Sequence, residues 1–250
     1  MLGLPDATRA CLFDLDGVLT DTASVHAAAW KQMFDDFLRA LAQRTGEEFV
    51  PFAVKTDYGP YVDGKPRLDG TRGFLASRGI TLPEGDPSDG PGAETVIGLA
   101  TRKNELVHHK IRELGVEVYP GSVRYLHAVR DAGLKTAVVS SSANAELVLQ
   151  AAGLADLVDH RVDGVVAKER HLPGKPAPDT FLAAAADLDV PKEQAVVFED
   201  AIAGVESGHA GGFGFVVGVD RLGHADKLRE AGADVVVSDL AELLGGSDES

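Results

Sequence analysis

The stretch ACLFDLDGVLTD, residues 10–21, carries three carboxylates at Asp14, Asp16 and Asp21. The first two directly follow a short apolar run that predicts a buried strand. Residues two apart on a strand point to the same side, so we expect Asp14 and Asp16 to lie close together at the strand's carboxyl end. At about 4 Å, two carboxylates repel by roughly 4 kcal/mol at an effective dielectric near 20. A divalent metal ion or a shared proton would offset this repulsion.

Polar residues also follow the later apolar runs, and in open α/β sheets the ligand crevice lies at the carboxyl ends of the strands. Glu199 and Asp200 end the run QAVVFED, and oxygen-rich acidic clusters favour Mg²⁺ over zinc. The serines at 140–142 precede a helical stretch, a combination that binds phosphate well. Lys175 adds a cation that can neutralise a phosphate or orient a carboxylate. Together these segments predict a site with a metal, an anion-binding loop and a reactive carboxylate.

Each of these features alone also has an ordinary structural explanation. An aspartate pair at a strand end can be solvated, a serine-rich turn can be a plain helix cap, and a single lysine is usually a surface charge. Their order along the chain, with polar segments after successive apolar runs, favours one shared site.

The elements that would position these residues follow from the apolar pattern. Short apolar runs near residues 10–13, 135–140, 194–199, 212–219 and 233–238 fit buried strands. Ala- and Leu-rich stretches with helical spacing lie between them, which is typical of a parallel sheet covered by helices. From about 23 to 115 the spacing is helical throughout. We therefore predict an α/β core, residues 1–21 and 118–250, interrupted by a helical cap domain, residues 22–117.

The composition limits the partners. A formal net charge of −15 over 250 residues opposes binding to nucleic acid and to anionic membranes. The single cysteine, Cys11, cannot form an internal disulfide, which suits a reducing compartment. No stretch has the roughly 18 apolar residues of a membrane helix, and the N-terminus does not resemble a secretory leader. We expect a cytoplasmic monomer that acts on a small molecule, with the GGSDES end, residues 245–250, as a frayed tail.

Four motifs, in this order, resemble those of the haloacid dehalogenase (HAD) superfamily of aspartate-nucleophile phosphotransferases. They are FDLDGVLTD, Ser140, GKPAPD with Lys175, and FEDAIAGV with Glu199 and Asp200. The segment DTASVHAAAW, residues 21–30, is similar to the β-phosphoglucomutase-like subgroup. The resemblance covers the whole chain, and it implies a Rossmann-like parallel-sheet core with a mobile helical cap inserted after the first strand.

The resemblance also implies roles for the core residues. Asp14 would be the nucleophile that forms an aspartyl phosphate, and Asp16 would be the general acid and base. Ser140 and Lys175 would hold the non-bridging phosphate oxygens. The implied Mg²⁺ ligands are Asp14, the backbone carbonyl of Asp16, Glu199 and Asp200. Asp21 lies outside this set, and we interpret it as a hinge or helix-start residue.

A mutase must also bind a second phosphate, because its sugar bisphosphate intermediate presents either end in turn. Arg67 falls where the subgroup carries a cap arginine for that phosphate, and His26 and Trp30 lie four residues apart on one helical face. The structural alternatives are that Trp30 is a core aromatic and that the cations of the RKN segment, residues 102–104, lie on a solvated face. The predicted substrate-binding residues are Thr22, His26, Trp30, Arg67, Arg102, Lys103, Asn104, Ser141, Ser142 and Asn144.

The predicted reaction is the Mg²⁺-dependent interconversion of β-D-glucose 1-phosphate and β-D-glucose 6-phosphate, with glucose 1,6-bisphosphate as activating intermediate. Two differences from the subgroup bear on the substrate. Ala143 stands where the subgroup's serine loop carries a lysine, and the segment 50–70 is longer than in the most compact caps. A sugar-phosphate phosphatase, for example on trehalose 6-phosphate, is the first alternative. A catalytically silent ligand-binding protein on the same fold is the second, and loss of either aspartate or of the acidic pair would mark it.

Overall fold

The apolar runs form a parallel sheet in the computed structural model, which describes residues 1–245. The strands are β1 (Ala10–Phe13), β2 (Lys135–Val139), β3 (His160–Val162), β4 (Ala195–Glu199), β5 (Phe215–Val219) and β6 (Val235–Val237). Among the described residues they make one six-stranded sheet in the order β3-β2-β1-β4-β5-β6, with every pairing parallel. The predicted α/β class with a Rossmann-like parallel sheet is confirmed.

Strand β3 has no counterpart among the predicted runs. Two of its three residues, His160 and Arg161, are polar, and its pairing partner in the sheet is β2. An edge strand of this kind is buried less completely than a central one, so it lacks the continuous apolar run that marks β1 and β4.

Helices cover the sheet and build the insert. Within the insert they are α1 (Ala23–Thr45), α2 (Gly59–Tyr61), α3 (Arg67–Ser77) and α4 (Val96–Leu114), with a π-helical turn at Val54–Tyr58. Elsewhere they are α5 (Pro120–Asp131), α6 (Ala145–Ala151), α7 (Gly164–Glu169), α8 (Asp179–Asp187), α9 (Ile202–Gly211) and α10 (Ala225–Glu230). Short 3₁₀ turns lie at Ala155–Leu157, Lys192–Gln194 and Leu240–Leu243.

The chain divides into two compact units. The sheet unit comprises Met1–Asp21 and Val116–Ser250, and the helical unit comprises Thr22–Gly115. The outgoing and returning segments pair inside the sheet unit: Asp21 N donates to Glu117 O at 2.8 Å, and Thr20 bridges Val118 in antiparallel fashion. The sheet unit resumes at Val116, and the predicted boundary at 118 stays a prediction.

Each unit has its own apolar core. In the sheet unit, every residue of β1 is fully buried between β2 and β4. In the helical unit, Phe34 lies at the centre of an aromatic cluster, with ring centroids 4.1 Å from Phe74 and 5.4 Å from Phe52. Burying each such side chain contributes roughly 1.5–3 kcal/mol, so the insert can hold its helices together through its own side chains.

Within residues 1–245, no helix is both long enough and apolar enough to span a bilayer. The predicted frayed tail, apart from Gly245, lies outside the described residues.

Candidate active site

The register of the three central strands brings the predicted core residues to one edge of the sheet. Phe13 is level with Val138 of β2 and Phe198 of β4, so Asp14 emerges between β2 and Glu199. Its backbone N–H continues the ladder by donating to Phe198 O at 2.9 Å. The Asp14 residue is 7% exposed. A carboxylate this deeply buried needs a compensating cation.

Lys175 supplies that cation. Its Nζ lies 2.5 Å from Asp14 Oδ1, contacts Glu199 Oε1, and donates to Val139 O at 3.2 Å. Burial alone would lower the pKa of Lys175, but the two carboxylates outweigh burial and raise it. The ammonium is therefore charged, and it joins the predicted nucleophile to a predicted metal ligand.

Glu199 is buried to the same degree as Lys175. Burial raises the pKa of Glu199 to about 7, the Lys175 ammonium opposes that rise and the Asp14 carboxylate adds to it. The backbone N–H of Ala201 donates to Glu199 Oε2 at 3.0 Å and fixes the carboxylate at the start of the turn into α9. The position of this carboxylate is therefore fixed, and burial increases its proton affinity.

The acidic residues of this edge form a cluster that fits Mg²⁺. Carboxylate oxygens of Asp14, Glu199 and Asp200 lie within 4.8 Å of one another. All three donors are hard oxygens, the ligand type that Mg²⁺ prefers. The carboxylate of Asp16 is not a member of this cluster, and its predicted contribution through the backbone carbonyl stays a prediction.

Two glycines let the backbone approach the cluster. A Cβ on Gly17 would lie 1.9 Å from Asp200 Oδ2, and a Cβ on Gly204 would lie 1.9 Å from Glu199 Oε1. Gly17 also has φ +96°, a conformation that side chains rarely allow. Any other residue at these positions would displace a carboxylate of the cluster.

Asp16 lies in a tight loop directly after Asp14. Gly17 N donates to Thr20 O at 2.8 Å, and Thr20 N donates to Leu15 O at 3.0 Å, so the loop folds back on itself. The Asp16 residue is half-buried, whereas Asp14 is buried. The two aspartates thus occupy different environments, a requirement if one carboxylate stays ionised while the other exchanges a proton.

The predicted serine loop extends from β2 to α6. Ser140 is 2% exposed, and its Oγ accepts a hydrogen bond from Ser142 N at 3.1 Å. Ser142 Oγ in turn accepts from Asn144 N at 3.1 Å. Gly164 closes the loop from the other side, since its N–H donates to Ser142 O at 3.1 Å. Ser140 and Asn144 are buried, while Ser141 and Ser142 are half-buried. The side chains of Ser140 and Ser142 therefore stabilise the backbone conformation of the loop itself.

In the helical unit, Lys103 of α4 joins His26 and Trp30 of α1. Lys103 Nζ lies 3.1 Å from His26 Nδ1 and 4.9 Å from the centroid of the Trp30 ring. Lys103 is 5% exposed, so its charge is largely removed from water. Trp30 is 3% exposed and stacks on Phe34, with 5.3 Å between ring centroids. Trp30 is thus a core aromatic, and its ring face also contacts the ammonium of Lys103.

Electrostatics of this cluster favour an anion. Burial lowers the pKa of His26 well below its usual value, and the charges of Lys103 and Arg67 lower it further. Burial also lowers the pKa of Arg67, the first residue of α3. Within the described residues, the buried Arg67 Nε has no hydrogen-bond partner. A buried guanidinium donor of this kind is a candidate contact for an anionic ligand.

The other predicted residues of the helical unit lie in different settings. Arg102 Nε donates to Pro91 O at 2.7 Å and ties α4 to the loop before it. Thr22 is fully buried at the start of α1, where its carbonyl accepts from His26 N at 2.8 Å. Asn104 is half-buried beside Lys103. Their roles in substrate binding stay predictions.

Sequence reasoning overlooked Arg221. This residue directly follows Asp220 after β5, at the same edge of the sheet as Asp14 and Glu199. Its Nε donates to Gly17 O at 2.9 Å. The available signal was its position, since a charged residue after an apolar run is the pattern that identified the other site residues.

Comparison with known proteins agrees with this geometry. A model of the haloacid dehalogenase-like hydrolase family matches residues 8–212. A curated relative from Mycobacterium tuberculosis named beta-phosphoglucomutase is 58% identical over 247 residues, covering 98% of this chain and 94% of the relative. Another protein of that name, from Bacillus subtilis, is 31% identical over 243 residues, covering 94% and 91%. The crystal structure of beta-phosphoglucomutase from Clostridium difficile matches with a TM-score of 0.74 at 28% identity, covering 94% of this chain and 93% of that one.

Proposed function

Because the chain belongs to the haloacid dehalogenase-like hydrolase family, we propose that it is a Mg²⁺-dependent β-phosphoglucomutase. It interconverts β-D-glucose 1-phosphate and β-D-glucose 6-phosphate through an aspartyl phosphate at Asp14. The similarity to the mycobacterial beta-phosphoglucomutase along nearly the whole chain supports this substrate. The enzyme acts on a small sugar phosphate as a cytoplasmic monomer, with glucose 1,6-bisphosphate as its activating intermediate.

One observation carries the proposal: the buried carboxylate of Asp14 lies against the ammonium of Lys175 and belongs to an all-oxygen acidic cluster. A buried carboxylate that is held ionised and oriented is suited to nucleophilic attack. Phosphoryl transfer depends mainly on alignment and on charge stabilisation, and these residues supply both.

The first half-reaction transfers the phosphoryl group to the enzyme. An oxygen of Asp14 forms a bond to phosphorus while the bond from phosphorus to the sugar oxygen breaks, and Asp16 donates a proton to that oxygen. In the second half, Asp16 accepts the proton of the acceptor hydroxyl. That hydroxyl oxygen takes the phosphoryl group as the bond to Asp14 breaks. Ser140 and Lys175 hold the non-bridging oxygens of the phosphoryl group.

The acidic cluster would hold the metal through Asp14, Glu199, Asp200 and the backbone carbonyl of Asp16. When bound, Mg²⁺ supplies positive charge that lowers the repulsion between the attacking carboxylate and the phosphate. Gly17 and Gly204 keep the space that the carboxylates of this cluster occupy.

The second phosphate of the bisphosphate requires cations outside the sheet unit's site. Arg67 and Lys103 supply them, and His26 holds Lys103 through its ring nitrogen. The neutral imidazole adds no charge of its own at neutral pH, since burial lowers its pKa. The ammonium of Lys103 also lies over the Trp30 ring. Thr22, Arg102, Asn104, Ser141, Ser142 and Asn144 complete the proposed substrate-binding set.

A sugar-phosphate phosphatase, for example on trehalose 6-phosphate, is the second candidate. Ala143 favours it, because this exposed residue of the serine loop brings no cation to a phosphate. With fewer contacts to a bound sugar phosphate, water competes better for the aspartyl phosphate. Retention of Asp14, Asp16 and the acidic pair argues against the catalytically silent ligand-binding protein.

Phosphorus NMR separates the two enzymes. The protein is incubated with β-glucose 1-phosphate, Mg²⁺ and a catalytic amount of glucose 1,6-bisphosphate. We expect the glucose 6-phosphate signal to grow, whereas inorganic phosphate as the main product would identify a phosphatase. Asp14→Asn should abolish either reaction, and the exposed Asp226→Asn should leave it unchanged. Full activity of Asp14→Asn would rule out Asp14 as the nucleophile.

A further inference from the structure

Arg221 is a largely buried arginine that none of the proposed catalytic steps uses. Its side chain is 14% exposed. Nε donates to Gly17 O at 2.9 Å, and one terminal nitrogen lies 3.5 Å from Val18 O. The guanidinium therefore caps two consecutive carbonyls of the loop that carries Asp16.

The guanidinium is also anchored to other parts of the sheet unit. One terminal nitrogen donates to Ser238 O at 2.7 Å and lies 3.6 Å from an Asp239 carboxylate oxygen, and the other lies 3.3 Å from Ser122 Oγ. Ser122 belongs to α5, and Ser238 directly follows β6. A planar group with five donors can span these acceptors at once, which a lysine ammonium cannot do.

Arg221 also contacts the segment that returns from the helical unit. Its guanidinium carbon lies 3.6 Å from the centroid of the Tyr119 ring. The Tyr119 hydroxyl hydrogen-bonds to the Asp21 carboxylate, and Tyr119 N donates to Leu19 O at 3.1 Å. Arg221 and Tyr119 thus join the segment leaving the sheet unit to the segment returning to it.

The peptide that Arg221 holds is also the one that packs against the acidic cluster. There is no room for a Cβ between Gly17 and Asp200 Oδ2. A shift of Gly17 would therefore move the Asp16 loop relative to Asp14 and would open space next to Asp200. Displacements of about 1 Å at a catalytic group can cost on the order of 100-fold in rate.

We propose that Arg221 is a positioning residue for phosphoryl transfer, holding the Asp16 loop in register with Asp14 and Asp200 through Gly17; this rests on the proposed function. The contacts that assign this role are those to the Gly17 and Val18 carbonyls. Loss of Arg221 is expected to slow turnover without weakening substrate binding.

The test compares Arg221→Met and Arg221→Lys with Arg229→Met, an exposed arginine that pairs with Asp226. For Arg221→Met we expect kcat to fall about 30-fold with KM within about threefold of wild type. Arg221→Lys should recover part of that loss, since one hydrogen bond to Gly17 survives. Arg229→Met should keep wild-type values.

Hydrogen exchange gives a readout that does not need the metal or the reaction. In the metal-free protein, Arg221→Met should raise the exchange rates of the Gly17 and Thr20 amides at least about tenfold and leave the amides of β5 unchanged. Unchanged exchange at Gly17, wild-type kcat, or an equal loss of protection across the sheet unit would each overturn the proposal. If Arg221→Met does not fold, Arg221→Lys decides by the same criteria.

The two proposals fail in distinguishable ways. If the wild type hydrolyses an aryl phosphate but does not isomerise β-glucose 1-phosphate, the mutase assignment fails while Arg221 is still tested on the hydrolysis. If the wild type processes no phosphate ester, the proposed function fails and hydrogen exchange alone decides whether Arg221 holds the loop.

Discussion

Lys175 Nζ lies 2.5 Å from Asp14 Oδ1 and also contacts Glu199, so one buried ammonium partly compensates the charge of two carboxylates of the candidate metal site. Isolated carboxylates at this depth would cost several kcal/mol. The sheet unit can therefore fold around its acidic cluster before any metal binds, because part of the compensating charge is built into the chain.

Lys175→Met should destabilise the metal-free protein by about 3 kcal/mol at pH 8, since removal of one partner leaves buried charge unpaired. Burial raises the pKa of Glu199 to about 7, above its value in the unfolded chain. The folded state therefore binds more protons, and stability is lost as the pH rises through 7. The loss in Lys175→Met should accordingly be smaller near pH 5.5 than at pH 8. Denaturant unfolding in EDTA measures the free energy of unfolding at both pH values, with the exposed Lys227→Met as control. A stability loss under about 1 kcal/mol at pH 8 would contradict charge compensation by Lys175.

Gly204→Ala should impair the acidic cluster, because the new Cβ would meet Glu199 Oε1 at 1.9 Å. We expect at least about a 30-fold loss of Mg²⁺-activated turnover and a higher Mg²⁺ concentration for half-activation, as a displaced carboxylate no longer meets the ion's strict geometry. Gly92→Ala is the matched control, since a Cβ there meets nothing within 4 Å. Equal Mg²⁺ activation curves for the two variants would show that Glu199 has room to move.

Arg67→Ala should separate the mutase reaction from simple hydrolysis. Loss of a charged hydrogen bond to the second phosphate costs about 1.5–3 kcal/mol, which corresponds to roughly 10- to 150-fold in kcat/KM. Hydrolysis of a small aryl phosphate, which has no second phosphate, should change less than about threefold. The control is Arg72→Ala on the same helix, whose partners are the exposed carboxylates of Asp69 and Glu84. Equal losses in both reactions would make Arg67 structural.

His26→Gln should flatten the pH dependence of stability below neutrality. Burial, Lys103 and Arg67 hold the pKa of His26 well below its usual value, so only the unfolded state takes up that proton near pH 6. The unfolded state then binds more protons, and the wild type loses up to about 1.4 kcal/mol per pH unit below about pH 6.5. Unfolding free energies at several pH values measure the slope, with the exposed His109→Gln as control. Identical slopes in wild type and His26→Gln would show that the imidazole is not kept neutral.

The strand ends could be predicted from sequence because buried parallel strands read as continuous apolar runs. This pattern predicts the positions of Asp14, Ser140 and Glu199, since each follows or ends such a run. The contacts of Lys175 could not be predicted, because they depend on the path of an irregular loop with no periodic pattern. Arg221 has the same strand-end position, but three of its hydrogen-bond acceptors are backbone carbonyls, which carry no signature in the amino-acid types.

The helical unit shows a different limit of sequence reasoning. From the sequence, a core role and a ligand-site role for Trp30 are alternatives, yet its ring lies in the aromatic core and also contacts the Lys103 ammonium. Arg102 and Lys103 are adjacent in sequence, but neighbouring residues on a helix point about 100° apart. The structure accordingly gives them separate settings, with Arg102 on Pro91 and Lys103 on His26.

The pairing of Asp21 with Glu117 and of Thr20 with Val118 brings the two ends of the helical unit side by side. The entropy cost of closing a loop grows only slowly with loop length. A long insertion whose ends are adjacent therefore destabilises the sheet little more than a short turn does. Joining residue 21 to residue 116 through such a turn should leave the parallel sheet and its acidic edge able to fold. Selection can therefore replace or remodel the inserted helices without rebuilding the sheet that carries Asp14 and Glu199.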